Sequence, residues 1–314
     1  MMSSRRSRAG FATRLCQNVL ILAAGALTTV APVLAQAPTR HTVDADDHPL
    51  AVWEKSAPGA NAVLLLVHGR TWSTLPDFDL RPPGEELSLM DGLGEKGITT
   101  YGVDIRGYGA TPRDDTGWNT PSRAAADVAA VLRWIRTRHP GQPVHLFGWS
   151  NGSLVSQLTA QRHPELIDRL VLFGYPNRFG MERPLQEPDG PPPARATTAE
   201  AAASDFILEG AISESAVRAY VAAALAADPV RSDWTMSHQW NDLDPAAVTV
   251  PTLVIHGEFD PLAPAAEQAK LFTGLGTMDK SWVVVPGGDH AAFLETPRPY
   301  FIAALATFLL RGGS

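Results

Sequence analysis

Gly148-Trp149-Ser150-Asn151-Gly152 follows the apolar run Val144-His145-Leu146-Phe147 and opens a stretch of helical character from Asn151 to His163. A serine held between a buried strand and a helix sits on a sharp, strained turn that projects its hydroxyl clear of the sheet. Glycine on each side of the turn, at 148 and 152, removes the side chains that would collide with neighbouring backbone. The helix begins directly beneath the place where negative charge would form. A serine hydroxyl is inert at its own pKa, so this turn has chemical meaning only if a base reaches it from elsewhere.

Outward from the turn, short apolar runs alternate with helical stretches, the pattern of a mostly parallel, doubly wound α/β sheet covered on both faces. Thr42 to Ser56 reads as an opening hairpin. Ala62 to His68, Ile98 to Ile105, Val144 to Trp149, Asp168 to Tyr175, Thr252 to His256 and Ser281 to Val285 read as strands. Helices are expected over Leu87 to Lys96, from the cap Thr120-Pro121 to Arg138, over Pro264 to Leu275, and as a closing amphipathic helix from Pro299 to Leu310. Residues 70–86 read as one long loop. Between Pro176 and Val250 the rhythm breaks into a Pro-rich loop and Ala-rich helical segments over Ala199 to Leu208 and Ser213 to Ala227. The division expected is a core of 38–176 and 251–314 with a helical lid, 177–250, inserted over the carboxyl edge of the sheet.

Nine histidines compete for the role of base. His41 and His48 lie in the opening hairpin, His139 and His163 end helices, and His145 and His256 occupy strands, where packing or a surface role explains them. His238 falls in the inserted segment without a defined partner. His290 differs: it follows Pro286-Gly287-Gly288-Asp289 at the carboxyl end of the last strand, the edge from which Ser150 also emerges. Asp260, after Ile255-His256-Gly257-Glu258-Phe259, reaches that edge from the preceding strand and is the expected orienting acid, with Glu258 and Asp289 as competitors. Such an edge is solvent-reachable, so removing Asp260 is expected to cost rate more than folding. No carboxylate follows the strand ending at Tyr175, because Pro176-Asn177-Arg178 comes next.

The order Ser150, Asp260, His290 resembles the α/β-hydrolase superfamily, and the likeness extends over nearly all of the chain after its leader. Val67-His68-Gly69-Arg70 resembles the family's oxyanion loop, and Asp104-Ile105-Arg106-Gly107-Tyr108-Gly109 its next loop. The resemblance implies that the N–H groups of Arg70 and Asn151 form an oxyanion hole, that His68 bonds within its loop, and that Asp104 and Arg106 brace. It also implies acyl transfer through a Ser150 acyl-enzyme, with no metal or organic cofactor. Relatives that open epoxides or cleave carbon–halogen bonds use an aspartate nucleophile, and Ser150 argues against both. Carboxylic-ester hydrolysis is the leading expectation; amide or aminopeptide hydrolysis on the same triad, and carbon–carbon bond hydrolysis, are the alternatives. A non-catalytic binding protein of this fold would be expected to lack a triad residue, and none is lacking.

Trp72, Trp149, Trp234 and Trp240 are candidates for an apolar, aromatic-lined pocket for a small ester. An aminopeptidase would need acids in the inserted segment to grip an ammonium group, and Glu182, Glu187, Glu200 and Glu209 are available. The formal net charge is −7, and discounting Arg5, Arg6, Arg8 and Arg14 leaves about −11 on the rest, a balance that disfavours nucleic acid and anionic membranes. Residues 1–37 have the order of a signal peptide: basic through Arg14, apolar from Val19 to Ala35, then small residues for cleavage after Ala35 or Ala37. Export to a periplasm or the exterior follows, with no stable membrane insertion after cleavage. The only cysteine, Cys16, lies in that leader, so disulfides, thiolate metal sites and a cysteine nucleophile are not expected in the mature protein.

Overall fold

The computed structural model describes residues 37–312, which belong to one compact unit; the leader expected over 1–37 lies, apart from Ala37, outside them. The chain forms β1 (Thr39–Ala45), β2 (His48–Lys55), β3 (Ala62–Val67), α1 (Thr74–Phe78), α2 (Leu89–Gly94), β4 (Ile98–Val103), α3 (Pro121–Arg138), β5 (Val144–Trp149) and α4 (Asn151–Arg162). There follow β6 (Arg169–Phe173), α5 (Ala199–Ala203), α6 (Glu214–Ala227), β7 (Thr252–Gly257), α7 (Ala265–Gly274), β8 (Lys280–Val285) and α8 (Arg298–Leu310). These eight strands make one sheet in the order β1-β2-β4-β3-β5-β6-β7-β8, antiparallel at β1/β2 and β2/β4 and parallel elsewhere. The parallel strands β3, β4, β5, β6 and β7 are buried along their whole length, which is why they read as continuous apolar runs rather than alternating ones.

Two cores flank the sheet. On one face Val128, Leu132 and Ile135 of α3 and Leu154, Val155 and Leu158 of α4 pack on alternate strand residues. On the other, Phe147, Phe173, Phe293 and Phe301 form a ring cluster with Phe78 and Trp149 beneath the carboxyl edge. Side chains of this size each stabilise by about 3–5 kcal/mol against truncation. They fix where the strand ends stand.

Three expectations are corrected. The stretch 70–86 is not a plain loop but contains α1, whose unpaired N-terminal N–H groups are taken up by distant acids: Ser73 N–H donates to Asp228 Oδ2 at 2.9 Å and Thr74 N–H to Asp104 Oδ1 at 3.0 Å. The helix expected over Ala199 to Leu208 stops at Ala203: the N–H groups of Asp205 and Phe206 turn to the carbonyls three residues back, and those of Ile207 and Leu208 donate to Asp289 Oδ2, at 2.7 and 2.6 Å. The closing helix is less amphipathic than expected: it buries Phe301, Ile302, Leu305, Phe308 and Leu309 but also shows Tyr300 and Leu310 to solvent. Between β6 and β7 the inserted segment carries α5 and α6, and its Asp233–Trp234 pairs with Trp118–Asn119 of the core. No described helix is long and apolar enough to cross a membrane.

Candidate active site

Ser150 lies between β5 and α4 with φ 53° and ψ −121°, a conformation that costs a non-glycine residue of order 1–3 kcal/mol and persists only where its surroundings enforce it. They do so through a hydrogen bond from its N–H to Phe173 O, at 2.9 Å, and through Ser153, whose N–H and Oγ both donate to the Ser150 carbonyl. The flanking glycines are steric necessities. A Cβ at Gly148 would stand 2.3 Å from Gly152 O, and one at Gly152 would stand 2.3 Å from Val67 O and 2.4 Å from His68 O. Because α4 starts against the end of β3 at that distance, the Val67–Arg70 loop lies directly on the serine turn.

The peptide joining Gly69 to Arg70 is held by His68. Its Nε2 accepts from Ile105 N–H at 3.1 Å, so the proton must sit on Nδ1, which donates to Gly69 O at 2.8 Å. Burial lowers the pKa of this imidazole, in keeping with a neutral ring. With Gly69 O pinned on one side, the trans peptide directs the Arg70 N–H to the other. Tyr108 OH donates to Arg70 O and in turn receives Trp234 Nε1, at 2.8 Å. Asn151 opens α4, so its N–H has no partner within the helix. Asp104 accepts from Thr74 N–H, Ala110 N–H and Trp53 Nε1, and Arg106 makes a two-pronged contact with Asp127; both brace, as the resemblance implies.

His290 and Asp260 meet at the same rim. His290 Nδ1 lies 2.8 Å from Asp260 Oδ2, with side-chain exposures of 4% and 0%. Asp260 Oδ1 accepts from the N–H groups of Leu262 and Ala263, at 2.9 and 3.1 Å. The expectation of a solvent-reachable Asp260 is therefore corrected: the carboxylate is enclosed and stabilised by backbone donors. Gly174 closes over the pair, where a Cβ would stand 3.0 Å from His290 Cε1 and 3.3 Å from Asp260 Oδ2. Trp149, the residue before Ser150, lies beside His290 with ring centroids 5.5 Å apart and planes tilted by 43°, and donates Nε1 to His290 O at 2.7 Å, so the serine turn and the imidazole share one wall. No hydrogen bond joins Ser150 Oγ to His290 among the described residues; contacts of this kind tighten on substrate binding. The competitor acids are engaged elsewhere, Glu258 with Gly287 N–H and Asp289 with Ile207, Leu208 and Ala291.

Trp72 and Trp149 are almost wholly buried, and Trp234 and Trp240 stack on one another at 6.1 Å. Glu182, Glu187, Glu200 and Glu209 are all exposed. The acid of the inserted segment that approaches the site is Asp205, which the sequence did not single out. It lies beside Trp72, within electrostatic reach of His290, and accepts from Tyr220 OH at 3.0 Å. Among the described residues no group of three or more His, Cys, Asp or Glu side chains is arranged to hold a metal.

A strained serine at a strand-to-helix junction, on the same rim of an eight-stranded sheet as a buried His–Asp pair, defines an α/β-hydrolase-fold serine hydrolase. The chain belongs to the serine aminopeptidase S33 family, whose model matches residues 59–297. It is similar to the human serine hydrolase BPHL, at 28% identity over 124 residues, which are 39% of this chain and 38% of that protein's length. In fold it is similar to a hydrolase from Pseudomonas aeruginosa (20% identity, TM-score 0.65, 87% of this chain and 98% of that one). It is likewise similar to a serine hydrolase involved in carbazole degradation (18%, TM-score 0.63, 88% and 100%). E-2-(acetamidomethylene)succinate hydrolase is a third such likeness (22%, TM-score 0.57, 86% and 98%).

Proposed function

We propose that this protein hydrolyses small carboxylic esters through an acyl-enzyme on Ser150. The contact between His290 and Asp260 carries the reading. With Asp260 Oδ1 occupied by two backbone donors, Oδ2 accepts the Nδ1 proton, which leaves the Nε2 lone pair as the base. His290 takes the Ser150 proton as Oγ attacks the carbonyl carbon, and the Arg70 and Asn151 N–H groups receive the developing oxyanion. The bond to the leaving alkoxide breaks as His290 returns the proton to it. Water then repeats the sequence, releasing the acid and restoring Ser150. No step requires a metal or organic cofactor.

The segment 177–250 serves in this reading as the lid, with Trp72 and Trp149 as the apolar wall beside the serine and Trp234 and Trp240 seating the lid on the Tyr108 loop. The order of residues 1–37 supports action outside the cytoplasm. Amide or aminopeptide hydrolysis is the second reading, favoured by the family description, with Asp205, beside Trp72, as the acid of the inserted segment that could bear on a cationic substrate group. A fluorophosphonate probe with peptide mapping, alongside matched p-nitrophenyl esters and aminoacyl anilides, tests both. Labelling at Ser150 and faster ester turnover, each lost in Ser150→Ala with the fold retained, is the expected result. Equal turnover by Ser150→Ala removes the assignment, and faster anilide turnover moves it to the second reading.

A further inference from the structure

The inserted segment grips the stretch that carries the Arg70 N–H at three separate points. Asp228, which follows α6, accepts from Ser73 N–H at 2.9 Å and from Gly109 N–H at 2.7 Å, so it holds the start of α1. Trp234 Nε1 donates to Tyr108 OH at 2.8 Å, and that hydroxyl donates to Arg70 O. Tyr220, on α6, reaches the far end of α1: its hydroxyl oxygen stands 2.9 Å from Asp77 Oδ1 and 3.0 Å from Asp205 Oδ2, and Asp77 Oδ2 accepts a long hydrogen bond from Gly69 N–H at 3.4 Å. Asp77 and Tyr220 are fully buried, and Phe206 packs edge-on to the Tyr220 ring with centroids 5.0 Å apart. His68 holds Gly69 O, so both polar groups of Gly69 are fixed, one by the core and one through Asp77 by the inserted segment.

The Tyr220 contact is short of one proton. A phenol has a single hydrogen and donates to one acceptor. With both acids ionised, one carboxylate oxygen would face the phenol's lone pairs at hydrogen-bond distance in a buried site, which costs free energy instead of supplying it. One further proton removes the conflict. Asp77 is the side to take it, being fully buried where Asp205 keeps some exposure to solvent. In keeping with this, burial and then the charges of Asp205 and Asp228 raise the pKa of Asp77 well above the usual carboxylate range, whereas burial raises Asp205 only to about 6. Asp77 Oδ1–H then donates to the Tyr220 oxygen, Tyr220 O–H donates to Asp205, and Asp77 Oδ2 is the carbonyl oxygen that receives Gly69 N–H. We propose that Asp77 is a positioning residue of the Gly69–Arg70 turn, a neutral carboxylic acid that ties Gly69 N–H to Tyr220 and Asp205 of the inserted segment. The inference rests on the Arg70 N–H serving the Ser150 reaction as described above. The inserted segment thereby helps to set the aim of that N–H.

Separate kcat and KM values on a p-nitrophenyl ester test this, with fluorophosphonate titration of active sites and a thermal melt on each preparation. Asp77→Ala cuts the tie, and kcat is expected to fall about tenfold or more through the loosened turn while KM changes little. Asp77→Asn offers a carbonyl to Gly69 N–H and an NH2 to the Tyr220 oxygen, as the neutral acid does, and should keep kcat within about threefold of the parent. A second readout is independent of activity: at neutral pH the infrared spectrum of the parent should contain a protonated-carboxyl C=O band that is lost in Asp77→Asn. Labelling aspartate with carbon-13 separates this band from that of Glu295, the other buried acid held neutral nearby. Should Asp77→Ala melt below the assay temperature, Asp77→Asn and the infrared band still decide. Parental kcat in a folded Asp77→Ala, an Asp77→Asn protein as impaired as Asp77→Ala, or the absence of an aspartate-derived band overturns the proposal. Absence of probe at Ser150 in the parent protein would instead remove the reading on which it rests, so the two failures are distinguishable.

Discussion

Asp260→Asn changes one atom, and the structure dictates which way the new amide must face. The N–H groups of Leu262 and Ala263, at 2.9 and 3.1 Å from Oδ1, can be satisfied only by an oxygen, so the asparagine carbonyl stays with them and its NH2 turns to His290. That NH2 is a donor and needs Nδ1 as an acceptor, so the imidazole proton moves to Nε2 and the lone pair facing the serine is lost. In this kind of triad the wrong tautomer costs about 10⁴ in kcat, which is roughly 5 kcal/mol of activation free energy. The packing is unchanged in volume and the buried charge is gone, so the fold should hold. The assay is ester kcat with active-site titration, paired with a thermal melt on the same preparation. A variant that melts with the parent and keeps kcat within tenfold refutes the tautomer argument. Asp260→Ala is a contrasting perturbation: it leaves two backbone donors and the Nδ1 proton unpaired in a buried site, at about 1–3 kcal/mol each. Both melting temperature and rate should then fall.

His68→Ala releases the peptide that aims the Arg70 N–H, and the loss of one oxyanion donor is worth about 10²–10³ in kcat; a fall of that order with little change in KM is expected, and an unchanged kcat would show that the turn holds itself. Glu295 has its pKa raised to about 9 by burial and then by Asp289, against an ordinary carboxylate value near ~4.3 in the unfolded chain. The folded state therefore keeps a proton that the unfolded state has released, and this contribution to stability is full below the unfolded pKa and is lost as pH rises toward the folded one. Glu295→Gln keeps an acceptor for the Asp289 N–H, now 2.8 Å from Oε2, and supplies a permanent donor in place of the titrating proton. Its melting temperature should match the parent near pH 5 and exceed it by roughly 2–4 °C or more near pH 8.5; equal melting at both pH values would place an ionised carboxylate at 295.

The sheet and the serine turn were legible because their signals are local: buried parallel strands are apolar throughout, and the turn needs glycine on both sides within five residues. His290 and Asp260 were legible by order along the chain, since each ends a strand on one edge. Their burial was not, because it is supplied by Gly174 and Trp149 from other strands. What escaped the sequence joins residues far apart. Tyr220 meets Asp77 across 143 residues and Ser73 meets Asp228 across 155, and neither acid carries a periodic or motif signal. The early end of α5 is of the same kind: the Ala-rich composition favours continuing the helix, but the carboxylate of Asp289, 82 and 81 residues away, holds Ile207 and Leu208 outside it.

The anchors of the inserted segment bear on how substrate reaches the serine. Asp228 holds the N–H groups of Ser73 and Gly109, Tyr220 joins Asp77 and Asp205, and Asp289 holds Ile207 and Leu208. Each is a largely buried contact, and those that involve a carboxylate stabilise by about 1.5–3 kcal/mol apiece. Lifting the whole segment would break all three together, at a cost on the order of 5 kcal/mol or more, and substrate affinity would fall by the corresponding open fraction. By contrast, the stretch 180–191 carries no helix or strand, and Met181 and Leu185 are 69% and 76% exposed. Its hydrogen bonds, among them those to Asn177, Asn241, His238 and Trp118, involve mostly exposed groups and no buried carboxylate. In the proposed reading the anchored part of the inserted segment belongs to the site, so substitutions at Asp228 or Tyr220 should lower kcat more than substitutions within 180–191, and equal effects on kcat would refute that division.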